Sequence, residues 1–172
     1  MMNDLVSAVT KVGCITADDV LAFRKAYYSD GRISEAEAGG IFAANAACEQ
    51  AHPTWAAFFC EALCDHVVHQ MQPHGHVSED NARWLMQHID RDGRVDNVTE
   101  LDLLVVILEQ AKTVPESLSA YALAQVRHAV VSGDGPLRSG KSLAAGIVDQ
   151  ADIELLRRIL YAYAGGGNIA VT

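Results

Sequence analysis

The sequence predicts an all-α fold of seven to eight helices packed as antiparallel hairpins. Helix-capping signatures recur along the chain, apolar residues follow them at helical spacing, and no alternating stretch of five or more residues indicates a strand. Half of the 172 residues are apolar but only 6% are aromatic, which is typical of a helical core filled by alanine and leucine. We expect residues 1–172 to form one domain.

The start of each helix follows from a capping residue or a proline. Seven helices are predicted, beginning after Thr16, Ser34, Pro53, Ser78, Asp96 or Asn97, Pro115 and Asp149. We expect four large aromatic residues near the centre of the core: Trp55, Phe58, Phe59 and Trp84. The longest loop, residues 132–148, has four glycines and few apolar residues, so mobility is expected there.

The charge balance limits the possible partners. The chain has 22 acidic and 13 basic residues, a net charge of −9 with neutral histidines. This excludes a general nucleic-acid or anionic-membrane binder, which needs a basic face, and favours cations or basic partners. No apolar run approaches the roughly 18 residues of a membrane span, and no signal peptide is evident at the start. We expect a cytoplasmic protein with free cysteines, because the four cysteines match no secreted disulfide framework.

The joints between helices repeat one pattern: a polar or acidic residue, a glycine, any residue, and an aliphatic residue, often followed by a helix cap. Three copies occupy residues 30–34, 74–78 and 92–96. The glycine provides the positive φ that reverses the chain, the aliphatic side chain is buried, and the last residue caps the next helix. A helical joint does not require an acid directly before the glycine and another six residues after it.

The first joint matches part of an EF-hand loop, in which glycine is at position six, an aliphatic residue at eight and a glutamate at twelve. Gly31, Ile33 and Glu37 occupy these positions, and Asp30 precedes the glycine. Residues that cannot ligate calcium through side chains occupy positions one and three, so this joint is a half-site. The histidine-bearing joint at residues 74–78 has no such acids, and we expect no calcium there.

The second joint is richer in carboxylates. In the same register, Asp90, Asp92 and Asp96 fall at positions three, five and nine, and Glu100 lies one residue beyond position twelve. Four carboxylates within eleven residues predict a cluster for a hard divalent cation, calcium or magnesium. Binding is expected to be weak, because each joint has few side-chain ligands. A solvated acidic face with Asp96 as a helix cap is the alternative.

The two acidic joints also resemble those of the TerB-like family, which is associated with tellurite resistance and stress response. Residues 30–37 carry the resemblance, and residues 92–95 followed by Glu100 form its second copy. The resemblance implies an all-helical domain without enzymatic activity whose acidic joints bind divalent metal. The matching positions are Asp30, Glu37, Asp92 and Glu100.

A metal-free scaffold domain that binds a protein partner is the alternative function. An enzyme is disfavoured, because no acid/base pair or nucleophile has a supporting context. The segment from Cys60 to His69 has zinc-ligand residue types, but they are strung along one helix. Residues 135–142 complete the formal pattern of a phosphate-binding loop, but a helix precedes them and Pro136 removes an amide from the cradle.

The C-terminal segment, residues 156–172, parallels residues 23–34. In this alignment the sequence ends, at Thr172, close to the position at which Ser34 caps a helix. We therefore expect either that the natural chain continues into a further helix or that the tail docks in another way.

Overall fold

The computed structural model describes residues 1–90, 94–95 and 97–165. Within these residues eight α-helices are formed, so the predicted all-α class and the number of helices are confirmed. They are α1 (Met2–Val12), α2 (Ala17–Tyr28), α3 (Glu35–Ala47), α4 (Thr54–Cys64), α5 (Glu79–Ile89), α6 (Val98–Gln110), α7 (Glu116–Ser132) and α8 (Gln150–Gly165). A π-helix, Asp65–Gln70, continues α4, and two-residue strands, β1 (Cys14–Ile15) and β2 (Gln50–Ala51), pair in parallel.

The contacts divide the chain into two compact units, residues 1–66 and 67–172. In the first unit α1 packs on α2 and α3, and α2 packs on α4. In the second unit α8 packs on both α6 and α7, and α5 contacts α7. Each unit has its own buried apolar side chains.

The helix starts agree with the predicted capping signals. Thr16 and Ser34 form reciprocal capping boxes with the residues three positions later. The side chain of Ser78 accepts the amide of Asn81, and Asn97 accepts the amide of Glu100 at 2.9 Å. Of the two residues predicted to cap α6, Asn97 therefore makes the cap, while Asp96 lies outside the described residues.

The first helix, α1, is not among the seven predicted helices. No side chain caps it, since Met1 precedes it without a capping hydrogen bond. Burial of Met2 and Val9 on one face stabilises it instead. It ends at Gly13, whose φ of 79° lies in the left-handed region that favours glycine, and the Gly13 amide donates to the Val9 carbonyl at 2.8 Å.

An aromatic cluster forms the core of the first unit. Trp55, Phe58 and Phe59 are buried, as predicted, and Phe23 joins them from α2. The Phe23 ring centroid lies 5.2 Å from that of Trp55 and 5.9 Å from that of Phe58. These separations are typical of edge-to-face and tilted aromatic packing.

Helix α6 forms the centre of the second unit. Six of its aliphatic side chains are buried, on several faces of the helix, although Val98 at its start is 49% exposed. The prediction for Trp84 is wrong: this side chain is only partly buried and stacks on His88, with ring centroids 4.2 Å apart. Leu85 and Ile89 occupy the buried face of α5.

The glycine-rich segment before α8, for which the sequence predicts mobility, is anchored by a buried ion pair. Arg138 donates two hydrogen bonds to Asp152 in the first turn of α8, at 2.6 and 2.7 Å. The side chains of Arg138 and Asp152 are 3% and 1% exposed. A third hydrogen bond from Arg138 reaches the Ile147 carbonyl at 3.1 Å. We refer to the Arg138–Asp152 pair as the clasp.

Asp149 caps α8 beside the clasp. Its carboxylate accepts the amide of Asp152, and its own amide donates to the carboxylate of Asp152. Lys141 also donates to Asp149. The hydrogen bond from Lys141 and that from the Asp152 amide lower the pKa of Asp149 to about 2.

We expect Asp149 to make the second unit sensitive to acid. The pKa of Asp149 in the folded state lies below the ordinary unfolded value of about 3.9. Its contribution to the stability of the second unit is therefore complete above about pH 3.9 and is lost as the pH falls towards about 2. Urea denaturation across this pH range should show a smaller loss of stability for Asp149→Asn, which keeps the cap, than for the wild type. The exposed-carboxylate control Asp80→Asn should follow the wild type, and an unchanged acid response in Asp149→Asn would contradict the prediction.

Candidate functional site

The carboxylates of the first acidic joint make local hydrogen bonds. Glu37 accepts from both the amide and the hydroxyl of Ser34, at 2.9 and 2.8 Å. Asp30 accepts the amide of Arg32 at 3.1 Å, which forms a tight turn. The predicted cation ligands Asp30 and Glu37 therefore serve as turn and cap residues.

The second joint is described only in part. The Asp90 carboxylate accepts the amide of Arg94 at 3.1 Å, and Asp90 forms an antiparallel bridge with Val95. Glu100 lies in the first turn of α6 and is 6% exposed. Asp92 and Asp96 lie outside the described residues, so the full set of four carboxylates is not placed.

No group of three or more His, Cys, Asp and Glu side chains that could hold a metal ion is formed within residues 1–90, 94–95 and 97–165. In the first joint, Asp30 and Glu37 are therefore not grouped with a third side chain of these types. The same holds for the segment from Cys60 to His69, in which Cys64 and His66 are buried. Cation binding at either joint stays a prediction.

A calcium titration should separate the two joints. We expect Asp30→Asn combined with Glu37→Gln to leave any calcium-dependent rise in melting temperature unchanged, because both variants keep the turn and the cap. Asp92→Asn combined with Glu100→Gln should abolish such a rise, since a cation that binds the folded state raises the melting temperature. The melts are compared in EDTA and in calcium. Loss of the rise in the first double variant would assign the site to the first joint.

The aliphatic positions of the joints behave as predicted. Ile33, Val77 and Val95 are all buried, at 2–4% exposure. Gly31 and Gly75 have φ values of 67° and 81°, the left-handed conformation that reverses the chain. The joint pattern therefore encodes helix punctuation and core packing.

The segment that resembles a phosphate-binding loop has a different conformation. Residues 136–138 form a 3₁₀ turn, and Lys141 pairs with Asp149. The segment follows helix α7, whereas a phosphate-binding loop follows a buried strand. The helix that the sequence predicts before this segment is therefore confirmed, and it is not the context of a phosphate-binding loop.

The most unusual surface of the second unit lies on α8. Its inner side buries Leu155 and Ile159, at 7% and 1% exposure. Four further large side chains form a second apolar stripe at spacings of three, four and three residues. We call this stripe the outer face of α8; its members are Ile153 (51% exposed), Leu156 (37%), Leu160 (49%) and Tyr163 (49%).

The outer face carries one cation at its edge. The Arg157 side chain is 63% exposed, lies 3.8 Å from Glu154, and has its guanidinium carbon 5.6 Å from the centroid of the Tyr161 ring. Arg158, by contrast, is held by two hydrogen bonds to Glu109, at 2.8 and 3.1 Å. Arg157 is therefore the arginine of this pair that is more available to a partner.

A groove of about 430 Å³ runs along the edge of α8 that carries Arg157, against the end of α6. Its lining includes Lys112 and Arg157 as well as Glu109 and Glu154. No ion pair joins Lys112 to another residue in the described part of the chain. Exposed cations thus accompany an exposed apolar stripe in a protein of net charge −9.

Comparison of the chain with protein-family models, with curated proteins and with solved structures gave no significant match. None of the helices in the described ranges combines the length and the apolar character needed to cross a bilayer.

Proposed function

We propose that the protein is a non-enzymatic cytoplasmic module that binds a helical segment of a protein partner on the outer face of α8. The observation that carries the proposal is a helix with two apolar stripes, of which only one is buried within its unit. Thirteen large apolar side chains are exposed in the described ranges, and seven of them lie between Ile147 and Tyr163. Such concentration of apolar surface is typical of an interaction site, whereas scattered single residues are not.

The spacing of the stripe favours a helix as the occupant. Apolar residues at alternating spacings of three and four form the seam along which two helices pack. Ile153, Leu156, Leu160 and Tyr163 extend this seam over three turns of α8. An amphipathic helix with the same spacing can cover all four side chains at once.

The charge at the edge of the stripe disfavours a second copy of this chain. In an antiparallel pair of α8 helices, Arg157 of one copy would lie beside Arg157 of the other. Two chains of net charge −9 also repel each other over a longer range. A partner helix with a carboxylate at the position that faces Arg157 avoids the local repulsion and adds a charge-assisted hydrogen bond.

A designed peptide tests this proposal directly. The probe is a labelled amphipathic helix with leucine at the seam positions and glutamate at the flanking positions, and binding is measured by fluorescence anisotropy. We expect saturable binding that weakens at least about tenfold in Leu156→Asp combined with Leu160→Asp, because two apolar contacts are lost. Val131→Asp, at another exposed apolar position on α7 (62% exposed), is the matched control and should bind like the wild type.

Two results would contradict the proposal. One is equal binding of the peptide by the double variant and the wild type, which would place the contact elsewhere. The other is concentration-dependent dimerisation in sedimentation experiments that the double variant abolishes, which would make a second copy the occupant.

A further inference from the structure

Two thiols converge at the end of α1 in the first unit. Cys14 opens β1 directly after Gly13, and Cys48 follows the last residue of α3. The parallel pairing of β1 with β2 places Cys14 opposite Gln50, two residues after Cys48. The His52 amide donates to the Ile15 carbonyl at 2.8 Å, which extends the pairing by one residue.

A shared hydrogen-bond acceptor places Cys48 beside Gly13, the residue that precedes Cys14. The Cys48 thiol donates to the Val9 carbonyl at 3.5 Å, and the Gly13 amide donates to the same oxygen at 2.8 Å. The sulfur of Cys48 therefore lies at the last turn of α1, next to the residue to which Cys14 is covalently bonded. Burial raises the pKa of Cys48, and the nearby Cys14 thiol raises it further.

The two thiols differ in access to solvent. Cys48 is 8% exposed, whereas Cys14 is partly exposed. An oxidant in solution therefore reaches Cys14 first. A buried thiol beside an accessible one is the arrangement in which the second sulfur resolves the oxidised form of the first.

We propose that Cys14 and Cys48 form a modification site at which a hydroperoxide is reduced and an intramolecular disulfide is formed. The Cys14 thiolate attacks one peroxide oxygen, the O–O bond breaks, and a sulfenic acid and an alcohol or water result. The Cys48 sulfur then attacks the sulfenic sulfur, the S–S bond forms, the S–O bond breaks, and water leaves with the thiol proton. Overall, two thiols lose two electrons and two protons, and the hydroperoxide gains them.

The other two cysteines are poorly placed for the same reaction. Cys60 and Cys64 are one turn apart on α4. Side chains four residues apart on a helix have Cβ atoms about 5–6 Å apart, whereas a disulfide requires about 3.5–4.5 Å. Burial also raises the pKa of Cys64 to about 12, which suppresses its reactive thiolate.

Peptide mapping after oxidation tests the proposal. The full chain is treated with hydrogen peroxide, its remaining thiols are blocked, and it is digested without reduction for mass spectrometry. We expect the free thiols to fall from four to two and a linked peptide pair containing Cys14 and Cys48 to appear. Cys14→Ser and Cys48→Ala should each prevent the link, while the control Cys60→Ser should retain it.

A link between Cys60 and Cys64, a disulfide between two chains, or sulfinic acid on Cys14 with Cys48 still reduced would overturn the proposal. Circular dichroism of each variant before oxidation shows that it is folded. Alanine is chosen at position 48 because Cys48 is buried and a small apolar side chain is tolerated there better than a polar one. Cys48→Ala therefore still tests the link if Cys14→Ser unfolds the first unit. The result is independent of partner binding on α8, since the cysteines lie in the first unit.

Discussion

Replacing Asp152 with alanine is expected to lower the free energy of unfolding of the second unit by about 3 kcal/mol. The change leaves the buried Arg138 guanidinium with only the Ile147 carbonyl at 3.1 Å and the more distant Asp149 carboxylate at 3.9 Å as partners. The two side chains are 3% and 1% exposed and share two short hydrogen bonds. Arginine is not deprotonated in proteins, so this side chain does not become neutral to relieve the cost. Hydrogen exchange of the amides of α6 and α8 measures the loss.

Two comparisons distinguish loss of the clasp from general damage to α8. Arg138→Met combined with Asp152→Leu should recover much of the stability, since two apolar side chains replace two buried charges. Glu109→Ala removes the partner of Arg158, a pair with similar hydrogen bonds but with 37% and 38% exposure. We expect it to cost less than about 1 kcal/mol. If Glu109→Ala and Asp152→Ala lower the free energy of unfolding equally, burial of the Arg138–Asp152 pair is not the reason for its large contribution.

Phe58→Ala is expected to destabilise the first unit by about 3–5 kcal/mol, because it opens a cavity in the aromatic cluster. Phe58 is fully buried, and its ring centroid lies 5.6 Å from that of Trp55 and 6.4 Å from that of Tyr27. Hydrogen exchange of the amides of α2 and α4 should report the change. Tyr163→Ala, at an aromatic position that is 49% exposed, should alter stability by no more than about 0.5 kcal/mol.

If Phe58→Ala lowers the free energy of unfolding by no more than Tyr163→Ala does, the cluster repacks without a cavity. Phe58→Leu provides the graded comparison, because it retains most of the buried apolar volume. The free energy of unfolding of Phe58→Leu should lie between that of the wild type and that of Phe58→Ala. The order of the three side chains therefore tests whether packing, rather than helix propensity, holds α4 in place.

Local signals account for most of the helix boundaries. Thr16, Ser34 and Asn97 cap helices by hydrogen bonds that span only three residues, so the sequence pattern contains the whole interaction. Helix α1 lacks such a signal, because burial of Met2 and Val9 by other parts of the fold stabilises it. The burial of Trp84 is likewise not predictable from its residue type. Its size favours burial, but the orientation of α5 leaves it half-buried.

The acidic joints show why the site is harder to predict than the fold. Positions nine and twelve of an EF-hand loop have the same spacing as the two partners of a capping box. Ser34 and Glu37 satisfy both patterns, and the structure shows the capping box. Spacing along the chain does not report where a carboxylate points, so the sequence does not distinguish a cap from a ligand there.

The outer face of α8 has a signal that the sequence analysis missed. A helix at the surface of a domain needs one apolar stripe, but α8 has two, one through Leu155 and Ile159 and another through Leu156 and Leu160. The excess of apolar residues is visible in the sequence. Which stripe remains exposed depends on the packing of α8 against α6 and α7, and only the structure shows it.

A charge-reversal experiment on Arg157 tests whether a partner helix lies along the outer face of α8. Two peptide helices with the same leucine seam are compared, one with glutamate and one with lysine at the flanking positions. We predict that the wild type binds the glutamate peptide more tightly, and that Arg157→Glu reverses this preference while the leucine seam still binds. If Arg157→Glu leaves both affinities unchanged, the partner helix does not lie along the outer face of α8.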